Sequence, residues 1–166
     1  MSSSHIAYVA LGANLGDAAA TLRAAVTDLA AQPGIALEAV SSFYRTAPID
    51  SDGPDYINAV ARMATSLTPL ALLDALQATE AAYGRERPYR NAPRTLDLDL
   101  ILYDTLDMAH PRLTLPHPRA HQRAFVLVPL AELAPQLQLQ GRALQEWLID
   151  CADQRLEALP NQTTDK

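Results

Sequence analysis

Residues 6–11 form an unbroken apolar run, which predicts a buried strand, and the run ends in Gly12-Ala-Asn14-Leu-Gly16. Asp17 is suited to cap the Ala-rich helix that follows. Leu22, Val26 and Leu29 give that helix one apolar stripe, and Pro33-Gly34 stops it. Residues 35–45 then alternate, with Ile35, Leu37, Ala39 and Phe43 on one side, so a second strand is predicted there. Two prolines, two aspartates and a glycine make residues 47–54 a polar loop. A third strand over residues 56–65 puts Ile57, Ala59, Ala61 and Met63 on one face and Tyr56 with Asn58 on the other.

Thr68-Pro69 is an N-cap followed by proline at the first helical position, and the helix it opens runs through Leu73 and Leu76 to Tyr83, with Gly84 as its stop. Residues 85–94 form a loop and residues 95–103 a fourth strand. Pro111, Pro116 and Pro118 predict an irregular segment; residues 125–133 are helical in part, and residues 143–150 are a last short helix. The order strand, helix, strand, strand, helix, strand predicts an α+β sandwich of the ferredoxin-like βαββαβ kind. Its helices pack on one face of a mainly antiparallel sheet, and the C-terminal elements are additions. Such a fold says little about chemistry.

Composition narrows the class without naming a reaction. The 166 residues suit a single domain spanning 1–166, and 49% apolar with 19% charged residues is ordinary for a folded chain. A net charge of -6 argues against a general nucleic-acid or membrane-surface partner. Cys151 is alone, so no internal disulfide is available, and it reads as a small residue of the last helix. The first residues lack a basic, then apolar leader, and no apolar run approaches the roughly 18 residues that span a bilayer. A cytoplasmic monomer is the expectation.

The candidate chemistry centres on Arg94-Thr-Leu-Asp97-Leu-Asp99-Leu-Ile-Leu102. On a strand Asp97 and Asp99 point the same way, with Leu96, Leu98 and Leu100 turned into the core. Two adjacent carboxylates invite a cation, and magnesium suits them because it takes oxygen ligands and is completed by water and phosphates. The spacing alone leaves open a solvated edge strand. The preceding loop adds Arg85, Arg87, Arg90 and Arg94, four arginines in ten residues of an acidic chain. Guanidinium forks grip phosphate oxygens, and neutralising two aspartates does not require four of them. Together they predict a metal–polyphosphate site. A second basic stretch holds Arg112, Thr114, His117, Arg119 and Arg123, in which His117 is placed to hydrogen-bond a phosphate; His5 and His110 read as structural. No Gly-x4-Gly-Lys-Ser/Thr loop is present, so arginines and metal must hold the phosphates.

The run Arg90-Asn91-Ala92-Pro93-Arg94-Thr-Leu-Asp97-Leu-Asp99-Leu-Ile101 resembles the signature of the 6-hydroxymethyl-7,8-dihydropterin pyrophosphokinases of folate synthesis. The resemblance continues, in order, through Ala10-Leu-Gly12-Ala-Asn14-Leu-Gly16, Ser41-Ser-Phe-Tyr-Arg-Thr46-Ala-Pro48, Pro54-Asp-Tyr56-Ile-Asn58, Arg112-Leu-Thr114-Leu-Pro-His117 and Arg123-Ala-Phe125. It covers about residues 6–150. It implies transfer of the β- and γ-phosphates of ATP, as one unit, to the pterin hydroxymethyl oxygen, with AMP as the other product. It also implies two magnesium ions on Asp97 and Asp99, with Arg85 and Arg94 on the transferring phosphates and Arg87 on the adjoining loop. Arg112, Thr114, His117 and Arg123 would complete the ATP site, with Gln77 and Glu80 near its edge. Tyr56 and Phe125 would sandwich the pterin ring, and Asn58 with the backbone around Thr46 and Ile49 would bond its rim. Asn91 stands where many members carry Trp, and Pro118 where some carry Tyr. Two competing readings are a non-catalytic nucleotide- or RNA-binding module and an inactive paralogue that binds pterin.

Overall fold

A computed structural model describes residues 4–14, 17–46, 55–84 and 96–159. The sheet is built on β1 (His5–Ala13) and β4 (Tyr56–Thr65), which pair antiparallel from His5 opposite Thr65 to Ala13 opposite Ile57. β5 (Asp97–Tyr103) joins the outer side of β1, again antiparallel. On the other side of β4 lie β2 (Ile35–Val40) and β3 (Tyr44–Thr46), both antiparallel to it. The chain returns late as β10 (Leu156–Ala158) to cover the edge of β3. The mainly antiparallel sheet expected from the sequence is present.

Alternation along β1 and β4 feeds two cores. Ala7, Val9 and Leu11 of β1, with Ala59, Ala61 and Met63 of β4, meet Leu22 and Leu29 of α1 (Ala18–Ala30) and Leu72 and Leu76 of α2 (Pro69–Gly84). The Asp17 carboxylate accepts from the Ala20 N–H at 3.1 Å, and the Thr68 hydroxyl from the Ala71 N–H at 3.2 Å, so both predicted caps form. On the opposite face Tyr8, Val60 and Leu102 meet Val126, Leu127 and Leu130 of α3 (Ala124–Leu133) and Leu144 of α4 (Leu144–Asp150). Helices therefore cover both faces, not one. The C-terminal additions bury the second apolar face, which a half-covered sheet would leave in water. Cys151, buried just after α4, belongs to that second core.

The predicted second strand is divided. A bulge between Leu37 and Ala39 turns Val40, rather than Ala39, toward the first core. Ser41 then exchanges bonds with Val60, its N–H donating to the Val60 carbonyl at 2.9 Å and its Oγ accepting from the Val60 N–H at 3.0 Å. The Ser42 N–H and Oγ and the Tyr44 hydroxyl all donate to Glu132 on α3, at 2.7–3.1 Å. Side chains thus take over the backbone bonding that would continue the strand. Burial, then the bond and charge of Glu132, push the Tyr44 hydroxyl up to about 12. The proline-rich stretch read as irregular contains a hairpin of β6 (Met108–His110) and β7 (Leu113–Leu115), anchored by buried Leu113 and Leu115. Between α3 and α4 lies a second small hairpin, β8 (Gln138–Leu139) with β9 (Arg142–Ala143).

Candidate active site

Register across the sheet sets Asp97 opposite Gly12, Gly12 opposite Asn58, and Asn58 opposite Tyr44. One step along, Asp99 faces Ala10, and Ala10 faces Val60. Leu98 and Leu100 go into the first core, so Asp97 and Asp99 share the other face, as the alternation predicts. Asp97 is half-buried and Asp99 exposed. Gly12 and Ala10 are the smallest side chains of these rows and leave a hollow floor between the aspartates and Asn58.

That hollow is a cleft of about 320 Å³, with Asp97 and Asp99 at one side and Thr46, Tyr56 and Asn58 at the other. Arg123 and Phe125, at the start of α3, complete its wall, with the guanidinium carbon 5.6 Å from the ring centroid. The amide of Asn58 donates to the Thr46 hydroxyl at 2.9 Å, and both side chains are buried. A Cβ on Gly12 would lie 2.9 Å from Asn58 Oδ1, so glycine is what lets the amide lie flat against β1. All six described residues assigned to the pterin side or the metal pair, Thr46, Tyr56, Asn58, Asp97, Asp99 and Phe125, meet here. Ile49 lies outside the described residues.

A second cleft, of about 350 Å³, opens between α2 and the β6–β7 hairpin. Gln77, Glu80, Arg112, Thr114 and His117 border it, which are the described ATP-side residues other than Arg123. Asp99 also borders it, so one carboxylate is common to both clefts. Arg112 Nη2 donates to Asp74 at 2.5 Å and to Gln77 Oε1 at 3.2 Å. Glu80 accepts from the Leu98 N–H at 2.6 Å, which ties α2 to the strand segment between the two aspartates. Arg85, Arg87, Arg90, Asn91 and Arg94 lie outside the described residues.

His117 is held by two backbone contacts: its N–H donates to the Ile101 carbonyl at 3.0 Å, and its Nδ1 accepts from the Arg119 N–H at 3.1 Å. An Nδ1 that accepts from an amide carries no proton, so the neutral ring keeps its hydrogen on Nε2. Burial lowers the His117 pKa below the ordinary 6.5; Asp99 pulls it back up, and Arg123 and Arg119 add to the lowering. A titration of the ring followed by NMR should therefore show a midpoint below 6.5. The unfolded chain takes up this proton first as pH falls, so the associated stability is intact above 6.5 and is lost as pH drops toward the folded midpoint. A midpoint at or above 6.5 would contradict the buried, arginine-flanked setting.

One residue of the second cleft and one that holds its wall escaped the sequence reading. His110, read as structural, borders the cleft, and Asp74 holds Arg112. The repetition of His-Pro-Arg at 110–112 and 117–119 was the available signal for His110. Asp74 carried none, because its role depends on α2 lying beside the hairpin. His5 does keep a structural place at the far end of β1, 2.6 Å from Asp104 and stacked on Tyr103 at 5.0 Å.

The donor set suits magnesium. Among the described residues no group of three or more His, Cys, Asp or Glu side chains forms a metal cage. Two carboxylates on one rigid strand, open to two clefts, leave coordination positions for water and phosphate oxygens, which is how Mg²⁺ is commonly held.

Comparison with known proteins places the chain in a family. Residues 8–135 match the family model for 7,8-dihydro-6-hydroxymethylpterin-pyrophosphokinase. The 2-amino-4-hydroxy-6-hydroxymethyldihydropteridine pyrophosphokinase of Methylorubrum extorquens is 47% identical over 143 residues, 86% of this chain and 90% of that protein. The enzyme of the same name from Pseudomonas aeruginosa is 46% identical over 155 residues, 92% of this chain and 96% of the other. In structure, the chain resembles Plasmodium falciparum HPPK-DHPS bound to SDX-DHP, with a TM-score of 0.72 at 13% identity. That match covers 90% of this chain and 46% of the other, so the chain spans less than half of the solved one and the likeness concerns the fold.

Proposed function

The chain belongs to the 7,8-dihydro-6-hydroxymethylpterin-pyrophosphokinase family, and from that premise we propose that its two clefts are the pterin and ATP halves of one active site joined at Asp99. The family reaction transfers pyrophosphate from ATP to the hydroxymethyl group of 6-hydroxymethyl-7,8-dihydropterin in folate biosynthesis. A non-catalytic RNA-binding module is not favoured by this membership, nor by a net charge of -6.

In this reading Tyr56 and Phe125 hold the flat pterin ring, and Asn58 with Thr46 reads its polar rim. The Asn58–Thr46 bond fixes which amide atoms face the ligand. The hydroxymethyl group then points along the Gly12 and Ala10 floor toward the aspartates. Across Asp99, Arg112, Thr114 and His117 complete the ATP site, with His117 at the phosphates and Arg123 reaching them from the pterin side. By the family resemblance alone, Arg85 and Arg94 are assigned to the transferring phosphates and Arg87 to the adjoining loop of the ATP site. Asp97 and Asp99 would hold two magnesium ions, which when bound neutralise phosphate charge and polarise the attacked phosphorus. The hydroxymethyl oxygen forms its bond to the β-phosphorus as the bond from that phosphorus to the α,β-bridging oxygen breaks. AMP leaves with the bridging oxygen, and loss of the hydroxyl proton would be assisted by either a bound metal or Asp97. Positioning and charge stabilisation suffice for such a transfer, and no strong base is required.

The observation that carries this reading is the single carboxylate, Asp99, shared by both clefts. Chromatographic analysis of products from ATP and the reduced pterin is the test. AMP and a pterin diphosphate are expected with magnesium present and neither after chelation. ADP as the nucleotide product would sink the pyrophosphoryl reading, and turnover without divalent metal would sink the assignment of Asp97 and Asp99. The same reading has residues 1–166 act as one domain, a monomer in the cytoplasm without nucleic-acid or membrane partners. No helix among the described residues is long and apolar enough to cross a membrane.

A further inference from the structure

The hairpin that walls the second cleft carries one triplet twice, His110-Pro111-Arg112 at its turn and His117-Pro118-Arg119 at its exit. In each, the ring Nδ1 accepts from the N–H of the arginine two residues on, at 3.0 Å for His110 and 3.1 Å for His117. Both neutral rings are therefore left with Nε2–H as a donor. Both border the same cleft, yet only His117 belongs to the motifs that mark the ATP side.

Position separates the two. His117 is anchored on the Ile101 carbonyl, two residues from Asp99, whereas His110 sits at the hairpin turn beside Arg112. The reacting phosphates belong at the aspartates, so the turn borders the distant part of the nucleotide. We propose that His110 is a nucleotide-binding residue of this chain, its Nε2–H donating to an acceptor on the ribose or base. This rests on the ATP assignment of the second cleft. The competing role is purely local, in which the ring only closes the turn through Nδ1.

Amide isosteres divide those roles. The glutamine amide nitrogen reaches the place of Nε2 but supplies no acceptor at Nδ1, and the asparagine oxygen takes the place of Nδ1 but has no donor at Nε2. Binding of α,β-methylene-ATP with magnesium is measured by titration calorimetry on the full chain. His110→Asn is expected to weaken it about fivefold, as for loss of one hydrogen bond, and His110→Gln to stay within about twofold. Inorganic tripolyphosphate, which has no nucleoside, should bind all three proteins alike. Any result in which His110→Gln fails to bind the analogue more tightly than His110→Asn overturns the proposal, as does an equal loss for tripolyphosphate. Binding is read without turnover. A chain that binds the analogue but forms no AMP would overturn the pyrophosphokinase reading and leave this one standing.

Discussion

Asp99→Asn is expected to lower the rate of AMP formation by about a thousandfold or more, since electrostatic stabilisation of transferring phosphates supplies several kcal/mol. The amide keeps the size of the side chain and removes its charge. Asp99 is exposed, and it is the carboxylate that both clefts share. Its neighbours Leu98 and Leu100 carry the packing of β5, so the fold should change by no more than about 0.5 kcal/mol, as for a surface site. The loss should fall on kcat, because interactions made mainly in the transition state lower turnover rather than ground-state binding. Steady-state kinetics beside a thermal melt separates these effects. A variant that retains a tenth or more of the turnover would remove Asp99 from the reaction centre.

Gly12→Ala should raise the KM for the pterin by about tenfold or more, through a contact that never touches the aspartates. The new Cβ would stand 2.9 Å from Asn58 Oδ1 and 3.9 Å from its Cγ. Asn58 is buried, faces Gly12 across the ladder and is tied to Thr46, so it cannot yield as an exposed side chain tip would. Either the amide turns and gives up Thr46 or the strands part. Overpacking with a lost hydrogen bond costs about 1–3 kcal/mol, against a gain of about 0.4–1 kcal/mol from stiffening the unfolded chain. A modest net destabilisation is expected, and the ATP KM should move little. An unchanged pterin KM would mean that Asn58 does not read the pterin.

What was legible beforehand follows from the range of the interactions involved. β4 and the face shared by Tyr56 and Asn58 follow from a period of two, a property of the strand itself. The same holds for Asp97 and Asp99 on β5, and the caps at Asp17 and Thr68 are equally local. The break after Val40 was not legible, because it depends on Glu132, ninety residues from Ser42, reaching back to take the serine donors. The β6–β7 hairpin was hidden by prolines that flank its three-residue strands without entering them. Covering of the second face by α3 and α4, and of β3 by β10, likewise needed the tertiary arrangement. In the site, Asp97, Asp99, the arginines and His117 were legible as chemistry, whereas Tyr56, Asn58, Phe125, Gln77 and Glu80 were assigned only through the family resemblance. Their division into two clefts, and the choice of Asp99 over Asp97 as the common wall, came from the packing of α2 and the hairpin against β5.

The reaction centre is defined by where the metal and the reacting phosphates sit. A crystal of the full chain grown with Mn²⁺, α,β-methylene-ATP and the reduced pterin, with data collected at the manganese edge, measures that directly. Anomalous peaks within coordination distance of Asp97 and Asp99, with the triphosphate in the Arg112–His117 cleft and the pterin between Tyr56 and Phe125, are the predicted result. Manganese or triphosphate bound elsewhere, or a pterin ring outside the Asn58 hollow, would contradict it.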